Sequence, residues 1–179
     1  MKMNRIIYGA AAACMMLGAF TACGDDDNGG SKSGGGAKSS TAAVKDLINA
    51  YNDHDAEKML AKIYPAKLIK ALKKEDKESY NMLLESIEDE LDEVDEEYGD
   101  DWKMKIDRID AEKMDDDDLD EWIEELEYYY DECGLDAPKI TDGAYVSIDV
   151  DIESGDDSDS ISADLAALKI DGSWYAQMN

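Results

Sequence analysis

Apolar residues recur at helical spacing after residue 40. Val44, Leu47, Ile48 and Tyr51 follow the i, i+3, i+4, i+7 pattern of one buried stripe, and Thr41 is placed to cap that helix. Asn52-Asp53-His54-Asp55 interrupts it, and a second helix follows with Met59, Leu60, Ile63 and Tyr64 inward. Pro65 then opens a third, at the first helical position, where a missing N–H costs nothing; Leu68, Ile69 and Leu72 form its inner stripe. The fourth is longer. Tyr80, Leu83, Leu84, Ile87, Leu91, Val94 and Tyr98 repeat nearly every seven residues and Gly99 ends the run, while Glu88, Asp89, Glu90, Asp92, Glu93, Asp95, Glu96 and Glu97 take the remaining face.

The period then changes from helix to strand. Trp102, Met104 and Ile106 alternate with Lys103, Lys105 and Asp107, and the alternation slips near Arg108, which predicts a bulge. Asp118 can cap a fifth helix carrying Leu119, Trp122, Ile123, Leu126 and Tyr130, closed by Gly134 with Pro138 beyond. Val146, Ile148, Val150 and Ile152 point one way and Ser147, Asp149, Asp151 and Glu153 the other, a strand with one wet face. Residues 155–160 read as a polar turn, and residues 161–170 as a strand whose phase slips around Ala166. Asp171-Gly172 is a two-residue hairpin turn into a last strand beginning near Trp174. Four helices, a strand, a helix and a three-strand meander give an α+β fold with the helices packed on one face of a curved antiparallel sheet.

This order resembles the nuclear-transport-factor-2-like, or cystatin-like, cone. The opening helix pair of that superfamily is similar to Val44-Lys45-Asp46-Leu47-Ile48-Asn49-Ala50-Tyr51 with Asp55, Met59 and Leu60, and its closing hairpin to Lys169-Ile170-Asp171-Gly172-Ser173-Trp174-Tyr175. The resemblance spans residues 41–179 and implies a helical layer wrapped by a bent sheet. It also implies an isomerase- or dehydratase-like activity, with an Asp, His or Tyr inside the cone. Asp107, Arg108 and Asp164, beside the strand phase slips, are the inward candidates.

The first 40 residues read differently. Lys2 and Arg5 precede an uncharged apolar run over residues 6–20, the parts of a secretory signal and short of the ~20 residues a membrane-spanning helix needs. Phe20-Thr21-Ala22-Cys23 resembles a bacterial lipobox, with Phe20 where Leu is usual. The resemblance implies that residues 1–22 are removed and that Cys23 becomes an acylated N-terminus. Residues 23–40, Asp25-Asp26-Asp27 and then mostly Gly, Ser and Lys, form a flexible tether with a random-coil span of roughly 20–25 Å. The acidic start is similar to surface-export signals of some Gram-negative lipoproteins, and the Gly/Ser stretch suits Gram-positive ones equally. Residues 41–179 remain as one domain, outside the cytoplasm and held to the membrane by lipid alone. Of three cysteines only Cys133 lies in that domain, so an intramolecular disulfide is not expected there.

Charge narrows the partners. The 179 residues carry 45 Asp+Glu against 18 Lys+Arg, net -27, which repels nucleic acid and anionic headgroups. The charge is polarised: residues 41–77 sum to +2 and residues 78–179 to -30. The near-neutral helices, with Lys62, Lys70, Lys73 and Lys74, are placed to pack beside the acidic fourth helix, so a charged partner is expected to be basic.

Catalytic and metal-binding signals are sparse. His54, the single histidine, lies in a turn between two aspartates, which explains it by capping and solvent better than by general-base work. Cys133, among Asp131, Glu132 and Asp136 at a helix end, is disfavoured as a thiolate. Counting a calcium loop from Asp149 places Ser154 and Ser160 where Gly and Glu are required. Asp115, Asp116, Asp117, Asp157 and Asp159 are left as weak cation candidates, without a cofactor motif. Tyr128-Tyr129-Tyr130 covers most of a helix circumference, which makes core or rim packing the expected role. These features favour a non-enzymatic, lipid-anchored module of the cell envelope that binds a basic protein or a small molecule. The alternatives are a cone-type enzyme and a weakly cation-binding acidic protein.

Overall fold

A computed structural model describes residues 36–155 and 157–177; the signal, Cys23 and most of the tether lie outside the described residues. The element order is α1 Ser40–Asn52, α2 Ala56–Ile63, α3 Ala66–Glu75, α4 Lys77–Tyr98, β1 Lys103–Lys113, α5 Asp116–Glu132, β2 Ile140–Ser154, β3 Asp157–Ile170 and β4 Ser173–Gln177. The fold is α+β. Among the described residues four strands form one antiparallel sheet in the order β1-β2-β3-β4, which does not close on itself. Among the described residues no helix is long and apolar enough to cross a membrane.

The helical stripes bury what their spacing predicts. Val44, Leu47, Met59, Leu60, Leu68, Leu72, Leu83 and Ile87 are each almost wholly inaccessible, and they join Val146, Ile148, Val150 and Ile152 in one core. Helix α1 lies across all four strands, and α4 packs on α2 and α3. The end of α4 reaches the β2–β3 hairpin, where the Ser154 hydroxyl donates to the Tyr98 carbonyl. Of the lysines expected beside the acidic helix, Lys73 is placed there, its Nζ 4.7 Å from the centre of the Tyr80 ring; Lys62, Lys73 and Lys74 pair with Asp46, Glu57 and Glu75, none of them on α4. The acidic face of α4 is left to water at Glu88, Asp89, Asp92, Glu93, Glu96 and Glu97.

Several boundaries differ from expectation, each for a local reason. Ser39, not Thr41, caps α1, accepting from the Ala42 N–H at 3.1 Å. Pro65 is the cap residue of α3 itself. Asp115 caps α5, accepting from the Asp118 N–H at 2.9 Å, so Asp118 is already inside the helix. The domain takes in residues before 41, since Ala37 bridges to Trp174 with two backbone hydrogen bonds. Gly36 is required there: a Cβ would stand 2.5 Å from that of Ser173 and 2.8 Å from the Tyr175 ring.

The sheet corrects three further expectations. The bulge in β1 is present between Ile106 and Arg108. The expected slip at Ala166 is absent: β2 and β3 pair in unbroken register from Leu168 to Asp157. Ala166, Ala167 and Leu168 are consecutively buried because this end of the sheet is covered on both faces. Helix α5 supplies the second cover, its Asp118 accepting from Tyr145 Oη at 2.8 Å and its Leu119 packed so close to Gly143 that a Cβ there would lie 3.0 Å away. The helices are therefore not confined to one face. Residues 158–160 continue β3, so the turn does not include them.

Candidate functional site

Two features stand out: a polar sheet face left uncovered, and one acidic side chain inside the helical layer. The face follows from strand alternation. With Val146, Ile148, Val150 and Ile152 inward, Ser147, Asp149, Asp151 and Glu153 must point outward, and the register sets Asp164, Ser162, Ser160 and Ser158 opposite them. Each of three rows is closed by a hydroxyl donating to a carboxylate: Ser147 to Asp164 at 2.5 Å, Ser162 to Asp149 at 2.6 Å and Ser160 to Asp151 at 2.7 Å. Charge-assisted bonds of this kind fix where the oxygens sit. On the β1 side the column is cationic, with Lys103, Lys105 and Arg108 opposite Glu153, Asp151 and Asp149. Lys105 lies 3.8 Å from Glu153, and Arg108 pairs at 2.6 Å with Asp110 on its own strand.

The buried acid is Glu90, 7% exposed on α4. Tyr51 Oη, on α1, donates to its Oε1 at 2.8 Å, whereas Oε2 is buried with no hydrogen-bond partner among the described residues. Burial raises its pKa from 4.5 to about 7; the Tyr51 bond acts in the opposite sense and Glu93 adds to the rise. Sequence reading places Glu90 on the wet face with its acidic neighbours, and the structure overturns that. The signal was available: Tyr80, Leu83, Ile87 and Val94 are spaced so that position 90 completes the same 3-4-3-4 seam.

Next to this pair, the end of α1 is tied to β1. Asn52 Nδ2 donates to the Met104 carbonyl at 2.8 Å, and the Met104 N–H donates to Asn52 Oδ1 at 2.6 Å, a side chain imitating a neighbouring strand. His54, with φ +52°, stacks on Trp102 at 4.4 Å between centroids; its Nδ1 lies 3.4 Å from Asp95, which also accepts from Trp102 Nε1 at 2.6 Å. His54 thus belongs to a junction of α1, α4 and β1.

The remaining sequence candidates are dispersed. Asp107 forms the exposed bulge, and Arg108 and Asp164 are also exposed, so none of the three faces inward: the slips beside which they lie are a bulge pushing outward and, at Ala166, no slip at all. Asp115 is the α5 cap, Asp116 and Asp117 occupy the first turn, and Asp157 and Asp159 lie at the far end of β3, where Asp159 accepts from the Ser160 N–H. Among the described residues no group of three or more His, Cys, Asp or Glu is placed to hold a metal ion. Tyr130 is core and Tyr128 rim, at 1% and 62% exposed. Cys133 is half-buried at the end of α5. No family model matches the chain, and no curated protein or solved structure is similar to it.

Proposed function

We propose that the chain is a lipid-anchored protein of the cell envelope, acylated at Cys23, whose domain is a non-enzymatic module binding basic partners through its acidic side. The observation that carries this reading is the uncovered face of β2 and β3, where Asp149, Asp151 and Asp164 are each held in place by a serine hydroxyl. Carboxylates fixed in advance lose less freedom on meeting a cation than mobile ones do. The core beneath is filled by Leu, Ile, Val, Met and Trp side chains. The tether separates this surface from an anionic membrane, so the negative field steers basic proteins rather than lipid.

Titration of the full chain, in non-ionic detergent, with a lysine-rich peptide tests the binding half. Affinity should fall steeply with added salt, and a variant combining Asp149→Asn, Asp151→Asn and Asp164→Asn should bind about tenfold more weakly. Binding that ignores both salt and the triple substitution refutes the reading. The anchor is tested by fatty-acid labelling, which Cys23→Ala should abolish. A cone-type enzyme is the second reading, favoured by one observation, the buried Glu90–Tyr51 pair with its raised carboxyl pKa.

A further inference from the structure

Strand β3 is longer than the strand that covers it. It runs over Asp157–Ile170, whereas β4 pairs only with residues 166–170, so among the described residues no strand pairs with the outer edge of residues 158–164. The register gives the direction of its backbone groups. Met104 turns its N–H and carbonyl onto Asn52 and away from β2, so Lys105 and its partner Asp151 face each other. Alternation then points Val150 and Ile152 at Ile161 and Asp159, and turns Ser158, Ser160, Ser162 and Asp164 outward. Among the described residues one of these four N–H groups, that of Ser160, finds an acceptor, Asp159 Oδ1 at 2.8 Å.

The two edges of the sheet are built differently. The β1 edge carries Lys103, Lys105, Arg108 and Lys113, a bulge at Asp107 and the Asn52 clamp, all features that deter another strand. Residues 158–164 contain no Lys, Arg or Pro, and their register is unbroken. On the inner face Ile161 and Ala163 are half-buried, open to further apolar cover. On the outer face Asp149, Asp151 and Glu153 have cations on the β1 side and only serines on the β3 side.

We infer that the free edge of β3 is a strand-addition site for an extended basic peptide in which Lys or Arg alternates with apolar residues. The inference rests on the acidic-module reading and names how the partner is held. Backbone groups of the peptide pair with Ser158, Ser160, Ser162 and Asp164. Its apolar side chains cover Ile161 and Ala163, and its cations reach over the serine column to the β2 carboxylates. Alternate side chains of an added strand repeat about every 6.8 Å, the spacing at which carboxylates alternate along β2, so the match persists along the edge.

The test uses the full chain in non-ionic detergent and a fluorescent decapeptide alternating Lys with Val. A second version is methylated on alternate backbone nitrogens, so every charge is kept and strand pairing is lost. The unmodified peptide should bind about tenfold or more tightly than the methylated one. Ser162→Pro, which removes an outward N–H that β2 does not use, should erase that difference. If circular dichroism shows that variant unfolded, Ser158→Pro, which removes an outward N–H nearer the end of the strand and leaves every charge in place, should narrow the same difference. Equal affinity for the two peptides overturns strand addition while leaving the acidic-module reading intact. Failure of both peptides to bind at low salt overturns both.

Discussion

Replacing Glu90 by Gln removes a buried ionisable group while keeping an acceptor for Tyr51 Oη. The groups facing Glu90 are Tyr51 from α1 and Glu93 from its own helix, neither of them a cation. Its folded-state pKa of about 7 lies above the unfolded value of 4.5, so the folded chain holds a proton that the unfolded chain releases between those values. The sign is set by that difference: the stabilisation is complete below pH 4.5, declines as pH rises, and is gone above pH 7. The shift corresponds to about 3 kcal/mol. Gln does not titrate, but its amide leaves a buried N–H group to satisfy, so the two proteins are best compared through the pH dependence of their difference. Between pH 5 and pH 8 Glu90→Gln should gain about 2–3 kcal/mol on the wild type. Urea titrations followed by tryptophan fluorescence at both pH values measure it. The background repulsion among the other carboxylates is nearly common to both proteins and cancels. A difference that stays flat across this range would refute the buried, neutral carboxyl.

Other substitutions probe the remaining joints. Asn52→Ala leaves the Met104 N–H and carbonyl without their clamp; a loss of about 2 kcal/mol is expected, with faster hydrogen exchange at the Met104 amide. Gly36→Ala forces a Cβ against Ser173 and Tyr175 and should cost about 1–3 kcal/mol in thermal unfolding, whereas an unchanged midpoint would mean the segment does not lie against β4. Gly143→Val should loosen α5 from the sheet by pushing on Met114 and Leu119, seen as increased proteolysis of α5 ahead of global unfolding.

The elements were legible because their periods are clean. The 3.6-residue stripes of α1 to α4 and the alternation of β2 each serve a single buried face, and Asp171-Gly172, with φ of 50° and 92°, supplies a turn that few other pairs can make. The bulge was legible for the same reason, since Ile109 falls three after Ile106. Where two faces are covered, period stops being informative. Ala166-Ala167-Leu168 mimics a slip because α1 lies on one side of the sheet and α5 reaches the other, a fact of tertiary packing that no local window contains. Glu90 is hidden by its residue type, because an acidic side chain reads as wet even where its position completes an apolar seam. The serine–carboxylate rows and the open edge of β3 depend on which strand lies beside which. Both required the register.

On the function proposed above, this protein works with its outer acidic surface and not with its interior. Backbone and side-chain NMR of the full chain in detergent micelles, titrated with the lysine–valine decapeptide, distinguishes the two. Shifts should gather at Asp149, Asp151, Ser158, Ser160, Ser162 and Asp164, with Tyr51 and Glu90 unmoved. Shifts centred on Tyr51 and Glu90, with the outer face silent, would contradict it.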